Sequence, residues 1–186
     1  MSIKDKIQIF DNFLPAKVFE EIQVHLKQPR WTVNASYPKN EKIFWGMDLT
    51  KDEYFNKTVY SYIKKVLDKK YKIKKILANA QSYGQDGSPH IDTDVVDSKT
   101  FIIYANKDWD FLWGGETRFF DRYVIDKETT IESDEMLHVL PVPNRAVLFP
   151  SCMFHYGMSP TRDFHGLRYT IAYQFIKVEE KRKMRL

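Results

Sequence analysis

From residue 76 to residue 177 the chain is a succession of short β-branched and aromatic runs broken by Gly, Pro, Asn and Asp, with no helical period between them. The runs are 76–83, 100–105, 117–120, 136–139, 146–149, 155–158 and 167–177. Strands that follow one another without intervening helices cannot build a parallel, doubly wound sheet, so a sandwich, jelly roll or barrel is predicted. No GxGxxG or P-loop supports a nucleotide-cofactor fold. The first seventy residues read differently. Val18, Phe19, Ile22 and Leu26 recur at helical spacing behind Pro15, and Phe55, Val59, Ile63, Val66 and Leu67 do so behind a Thr50/Glu53 capping box, with an end near Tyr71. Between these helices, residues 30–49 are aromatic and irregular, with Trp31, Tyr37, Phe44 and Trp45. Two readings stay open there, a strand pair or a lid over a site.

The expected organisation is one domain over 1–186: a mostly helical support region in 1–72, a β core in 73–178 and a basic tail in 179–186. Apolar residues at 43% and aromatics at 15% are enough for one packed core. The formal charge of +4 comes from the end of the chain. Lys181, Arg182, Lys183 and Arg185 account for four of 29 basic residues, leaving 25 against 25 acidic ones in 1–180. A neutral body argues against a nucleic-acid partner. The lone Cys152 excludes a disulfide framework and reads as a small buried residue. The longest apolar runs fall far below the roughly 20 residues of a membrane span. With no secretory signal at the start, a cytoplasmic location is expected.

A metal site must then come from His and carboxylates. His25, His138 and His165 read as surface, structural and loop residues. His90-Ile91-Asp92 puts an imidazole and a carboxylate on one face of an extended chain. His155, from a separate strand, would complete two His and one carboxylate, the open facial triad of non-haem Fe(II) oxygenases. Five His and fifteen Asp in 186 residues give roughly 0.4 HxD occurrences by chance, so the spacing needs support. The last run supplies it. Arg168, Thr170, Ala172 and Gln174 share a face that pairs one cation with small residues, as a barrel interior holding a small dicarboxylate requires.

With these residues in view, the chain resembles the Fe(II)- and 2-oxoglutarate-dependent dioxygenases, and within them the prolyl hydroxylase branch, over about 81–175. The landmarks are Tyr83-Gly84, His90-Ile91-Asp92, Tyr104-Ala105-Asn106-Lys107-Asp108-Trp109, Gly114-Gly115-Glu116-Thr117, Arg145 through Pro150, His155 and Arg168-Tyr169-Thr170-Ile171. The resemblance implies a double-stranded β-helix, a cupin-like jelly roll. It makes His90, Asp92 and His155 the ligands of Fe(II). Arg168 binds the distal carboxylate of 2-oxoglutarate with help from Tyr104, Tyr83 lines the iron pocket, and Thr170 belongs to the cosubstrate site. The implied reaction couples decarboxylation of 2-oxoglutarate to hydroxylation of a C–H bond, with ascorbate as a reductant. Collagen-type members use Lys where this chain has Arg168, which favours the oxygen-sensor side.

A prolyl residue in a peptide or protein is the substrate this resemblance favours. A free amino acid or other small molecule is the main alternative, and a non-catalytic cupin-like module is the competing class. Asp94 is an alternative to Asp92 and otherwise a substrate contact. The Arg162/Arg168 spacing, with Asn79 and Tyr83, is similar to the nucleic-acid dealkylating branch, which would make Arg162 the cosubstrate ligand. An insertion near 161–166 lengthens the interval between His155 and Arg168 relative to the prolyl hydroxylases.

Overall fold

The computed structural model describes residues 2–35, 42–125 and 127–178. Two antiparallel sheets face each other. The larger has the order β1 (Gln8–Phe10), β8 (Ala146–Pro150), β5 (Lys99–Tyr104), β10 (Arg168–Lys177), β4 (Tyr71–Gln81), β3 (Ile43–Asp48), β2 (Thr32–Ala35). The smaller is β7 (Glu128–Val139), β6 (Thr117–Ile125), β9 (Met153–Gly157). The two sheets form a jelly roll.

Strand alternation sorts the side chains between two cores. On β5 and β10, Phe101, Ile103, Ile171, Tyr173 and Phe175 point to the outer face of the large sheet. There they are covered by α1 (Ala16–Leu26) through Val18, Ile22 and Leu26, and by a π-helical stretch, Tyr54–Val59, that runs into α2 (Tyr60–Ile63). Ile102 and Tyr104 point inward with Phe149 of β8 and meet Phe119, Tyr123, Val139 and Met153 of the smaller sheet. Arg168, Thr170, Ala172 and Gln174 occupy the same inner face of β10 but line a cavity there.

The N-terminal region differs from the mostly helical support expected of it, because it also adds three strands to the large sheet. β1 pairs with β8 at one edge, and β2 and β3 extend the other edge through β4. Within segment 30–49, Thr32–Ala35 and Ile43–Asp48 are paired strands, and Phe44 lines the cavity; residues 36–41, with Tyr37, and the tail 179–186 lie outside the described residues. The capping box does not form. The Thr50 hydroxyl accepts from Ile76 N at 3.1 Å, tying the chain to β4, and Asp52 Oδ1 accepts from Tyr54 N instead. The second helix stops at Ile63, and β4 already begins at Tyr71. No helix of the described residues is long and apolar enough to cross a membrane.

Candidate active site

The segment before β5 runs antiparallel to β9, and this pairing builds the ligand cluster. His90 N donates to His155 O at 3.0 Å and His155 N to His90 O at 2.9 Å, so the two imidazoles stand side by side, 4.5 Å between ring centres. Asp92 N then bonds Ser151 O at 2.9 Å, which keeps the chain extended and returns Asp92 to the face of His90. One ligand atom from each of His90, Asp92 and His155 lies within 4.8 Å of the other two. Asp92 Oδ1 is 3.9 Å from His90 Nε2, and Oδ2 is 3.8 Å from His155 Nε2.

Orientation of the rings is set by the backbone. His90 Nδ1 lies 2.9 Å from Ser88 O and His155 Nδ1 3.0 Å from Met153 O. A carbonyl only accepts, so both Nδ1 atoms carry the hydrogen and both Nε2 lone pairs are directed to the shared space, the arrangement of metal-binding imidazoles. His155 is packed between Phe119 and Phe149. Burial, and secondarily the His90 ring, lower its pKa to about 4, so at neutral pH it is an uncharged donor. Asp92 is clamped on both oxygens. Thr100 Oγ1 donates to Oδ2 and Gln174 Nε2 to Oδ1 at 2.8 Å. Two imidazole nitrogens and one carboxylate suit a divalent iron.

The cluster opens into a cavity of about 680 Å³ between the sheets. At its other end is Arg168, 2% exposed. Its Nε donates to Gly115 O, Nη1 to Gln81 Oε1 at 2.8 Å and Nη2 to Thr117 Oγ1 at 3.0 Å. Three of the five guanidinium N–H groups are thus used, and two are left for the two oxygens of a carboxylate. No carboxylate of the described residues pairs with this buried cation. Burial lowers its pKa, yet a guanidinium stays charged, and an unpaired buried charge costs several kcal/mol until an anion joins it. Backbone closes tightly over the group. A Cβ at Gly115, whose φ is +71°, would lie 2.8 Å from Trp109 and 3.1 Å from Arg168 Cδ; one at Gly157 would lie 3.1 Å from Arg168 Nη1. These residues fit iron at one end of the cavity and a dicarboxylate reaching the other.

The structure corrects two sequence expectations, Tyr83 and Tyr104, and disfavours two alternatives, Arg162 and Asp94. Tyr83 is 64% exposed and does not line the cavity, because β4 ends at Gln81 and the chain turns outward. Tyr104 is wholly buried and also off the lining; its hydroxyl donates to Thr117 Oγ1 at 2.8 Å, so Thr117 stands between it and the cavity. Arg162 is exposed and away from the cavity, as the dealkylase-like reading would not allow, and Asp94 joins neither the ligand cluster nor the lining. Thr170 lines the cavity. The 161–166 segment is pinned by Phe164, whose ring centre lies 4.7 Å from those of both Trp109 and Trp113. Sequence alone assigns no role to four polar contributors: Thr117 ends the Gly-Gly-Glu-Thr run and Gln174 lies on the alternating face of β10, whereas Gln81 and Thr100 carry no signal of their own.

Residues 78–175 match the family model of the 2OG-Fe(II) oxygenase superfamily. No curated protein matches the sequence. Among solved structures, the chain is similar to a prolyl hydroxylase from Trichoplax adhaerens in complex with a hypoxia inducible factor oxygen degradation domain peptide fragment. The TM-score is 0.67 at 19% identity, covering 92% of this chain and 84% of that one. A prolyl-4-hydroxylase from Pseudomonas putida gives 0.65 at 14% identity over 94% of each chain. The α-ketoglutarate-dependent epimerase SnoN from nogalamycin biosynthesis gives 0.67 at 7% identity, over 92% of this chain and 78% of that one. With the family model spanning more than half of its 186 residues, the chain belongs to the 2OG-Fe(II) oxygenase superfamily, and Fe(II) and 2-oxoglutarate are its cofactor and cosubstrate.

Proposed function

We propose that this oxygenase hydroxylates a prolyl residue in a peptide or protein. The observation that carries the oxygenase chemistry is one cavity with the His90, Asp92 and His155 cluster at one end and an unpaired, buried Arg168 at the other. His90 and His155 hold the metal through Nε2, because their Nδ1 hydrogens are spent on backbone carbonyls. Arg168 grips the distal carboxylate with its two remaining N–H groups. Thr117 lies beside it, its oxygen accepting from Arg168 Nη2 and bonded to the Tyr104 hydroxyl, which also has Val139 O at 3.3 Å. Tyr104 acts through Thr117. Thr170 and Ala172 keep the floor narrow, and Ile102, Val124 and Phe154 keep water from the reacting centre. When bound, the iron would let dioxygen act as the oxidant, one of its oxygen atoms entering succinate as 2-oxoglutarate loses carbon dioxide and the other entering a C–H bond of the substrate.

Support for the prolyl assignment is the pair of prolyl hydroxylases that share the fold over more than nine-tenths of the chain, one of them bound to a peptide. A small-molecule substrate is the second reading. The epimerase, equally similar in fold, is the observation that favours it. A succinate-release screen over proline-containing peptides and free amino acids, with mass spectrometry for a gain of one oxygen, separates the two. Turnover with a peptide supports the first reading; turnover with free amino acids and no peptide overturns it.

A further inference from the structure

We propose that Gln174 is a positioning residue for Asp92, holding that carboxylate in the one orientation that presents it to the metal; this rests on His90, Asp92 and His155 being the iron ligands. An ionised carboxylate only accepts hydrogen bonds. The Gln174 amide must therefore turn its Nε2 to Asp92 Oδ1, at 2.8 Å, and its Oε1 away, so its sense is fixed by chemistry. Thr100 Oγ1 holds the second oxygen, Oδ2, and is itself steadied by Ser151 Oγ at 2.8 Å. The carboxylate is gripped from two neighbouring strands by uncharged donors, which fix its plane without neutralising the charge the metal needs.

The place of Gln174 in β10 supports this role. Arg168 and Gln174 share the inner face of one strand, and both line the cavity. A single rigid element thus holds the cation at one end of the cavity and the clamp on the metal ligand at the other. The β10–β4 ladder is regular from Arg168 to Gln174 and slips immediately after it, with Gln174 opposite Lys75 and Phe175 opposite Ile73. Gln174 is therefore the last residue of β10 held in the same register as Arg168, and the slip falls beyond the pair.

The test is Mn(II) binding by calorimetry, without 2-oxoglutarate, for the wild type, Gln174→Met and Gln174→Asn, together with the visible spectrum of each protein loaded with Co(II). Met matches Gln in length but cannot donate; Asn keeps the amide but falls one methylene short of Asp92. Both variants are expected to bind Mn(II) about tenfold more weakly and to change the Co(II) bands, because the ligand geometry relaxes. Binding within about twofold of wild type with unchanged Co(II) spectra would overturn the proposal, since a residue that only lines the cavity moves neither readout. If Gln174→Met does not fold, Gln174→Asn is judged by the same criterion. A wild-type protein that binds no Mn(II) would remove the iron-site reading itself, a failure distinct from equal binding by wild type and variants.

Discussion

Replacing Arg168 by Met removes the guanidinium while keeping much of the volume of its stem. The structure sets the size of the effect. Two N–H groups of a cation that is 2% exposed are available for the distal carboxylate, and each charge-assisted bond is worth about 1.5–3 kcal/mol. Losing both costs about 3–6 kcal/mol of cosubstrate binding. Removal of the buried charge also stabilises the unliganded protein, which no longer carries an unpaired cation, so it adds to the loss of affinity and offsets none of it. A loss of at least about 3 kcal/mol follows, or roughly a hundredfold. The assay is calorimetric binding of 2-oxoglutarate to the Mn(II)-loaded protein without oxygen, with Mn(II) affinity measured in parallel. The dissociation constant for 2-oxoglutarate should rise about a hundredfold while Mn(II) affinity holds, since Arg168 touches none of the three metal-binding side chains. Arg162→Ala, at an exposed position off the cavity, should change neither. Equal 2-oxoglutarate binding by Arg168→Met and wild type, or a larger effect from Arg162→Ala, would refute the reasoning.

Gly157→Ala places a Cβ 3.1 Å from Arg168 Nη1 and from Gln81 Oε1, so it should weaken 2-oxoglutarate binding and cost about 1–3 kcal/mol of stability, read by urea denaturation. Tyr83→Phe should leave cosubstrate binding unchanged, whereas Thr117→Val should weaken it more than Tyr104→Phe; calorimetry with 2-oxoglutarate ranks the three. His155 is held neutral with its pKa near 4, against about 6.5 when unfolded. Between those values the unfolded chain binds the extra proton, so the metal-free protein should lose up to about 3 kcal/mol as pH falls from 6.5 to 4, a slope in the urea midpoint that His155→Asn should flatten.

Residues legible in the sequence were those whose role follows from local spacing. Alternation put Arg168, Thr170, Ala172 and Gln174 on one face, and that face lines the cavity. The HxD step predicted a shared face for His90 and Asp92, and the pairing of this segment with β9 produces it. What spacing could not supply was the path of the chain between strands. Tyr83 follows Gln81 by two residues, yet β4 ends at Gln81, so continued alternation failed there. Tyr104 does lie on the inner face, but depth along the stack, which depends on Thr117 from another strand, leaves it behind the lining. β7 runs from Glu128, well before the expected 136, because most of its outer half is exposed and polar and has no apolar period to read. Segment 30–49 looked irregular for a related reason: β2 and β3 owe their conformation to pairing with each other and with β4.

The central claim is that His90, Asp92 and His155 bind Fe(II) and that 2-oxoglutarate binds beside it with its far carboxylate on Arg168. Anaerobic titration of the protein with Fe(II) and then 2-oxoglutarate tests it directly. The wild type should develop the weak visible charge-transfer absorption of an iron–2-oxoglutarate chelate, saturating at one equivalent of metal, and His155→Ala should not. No such absorption in the wild type, or the same absorption in His155→Ala, would contradict the account.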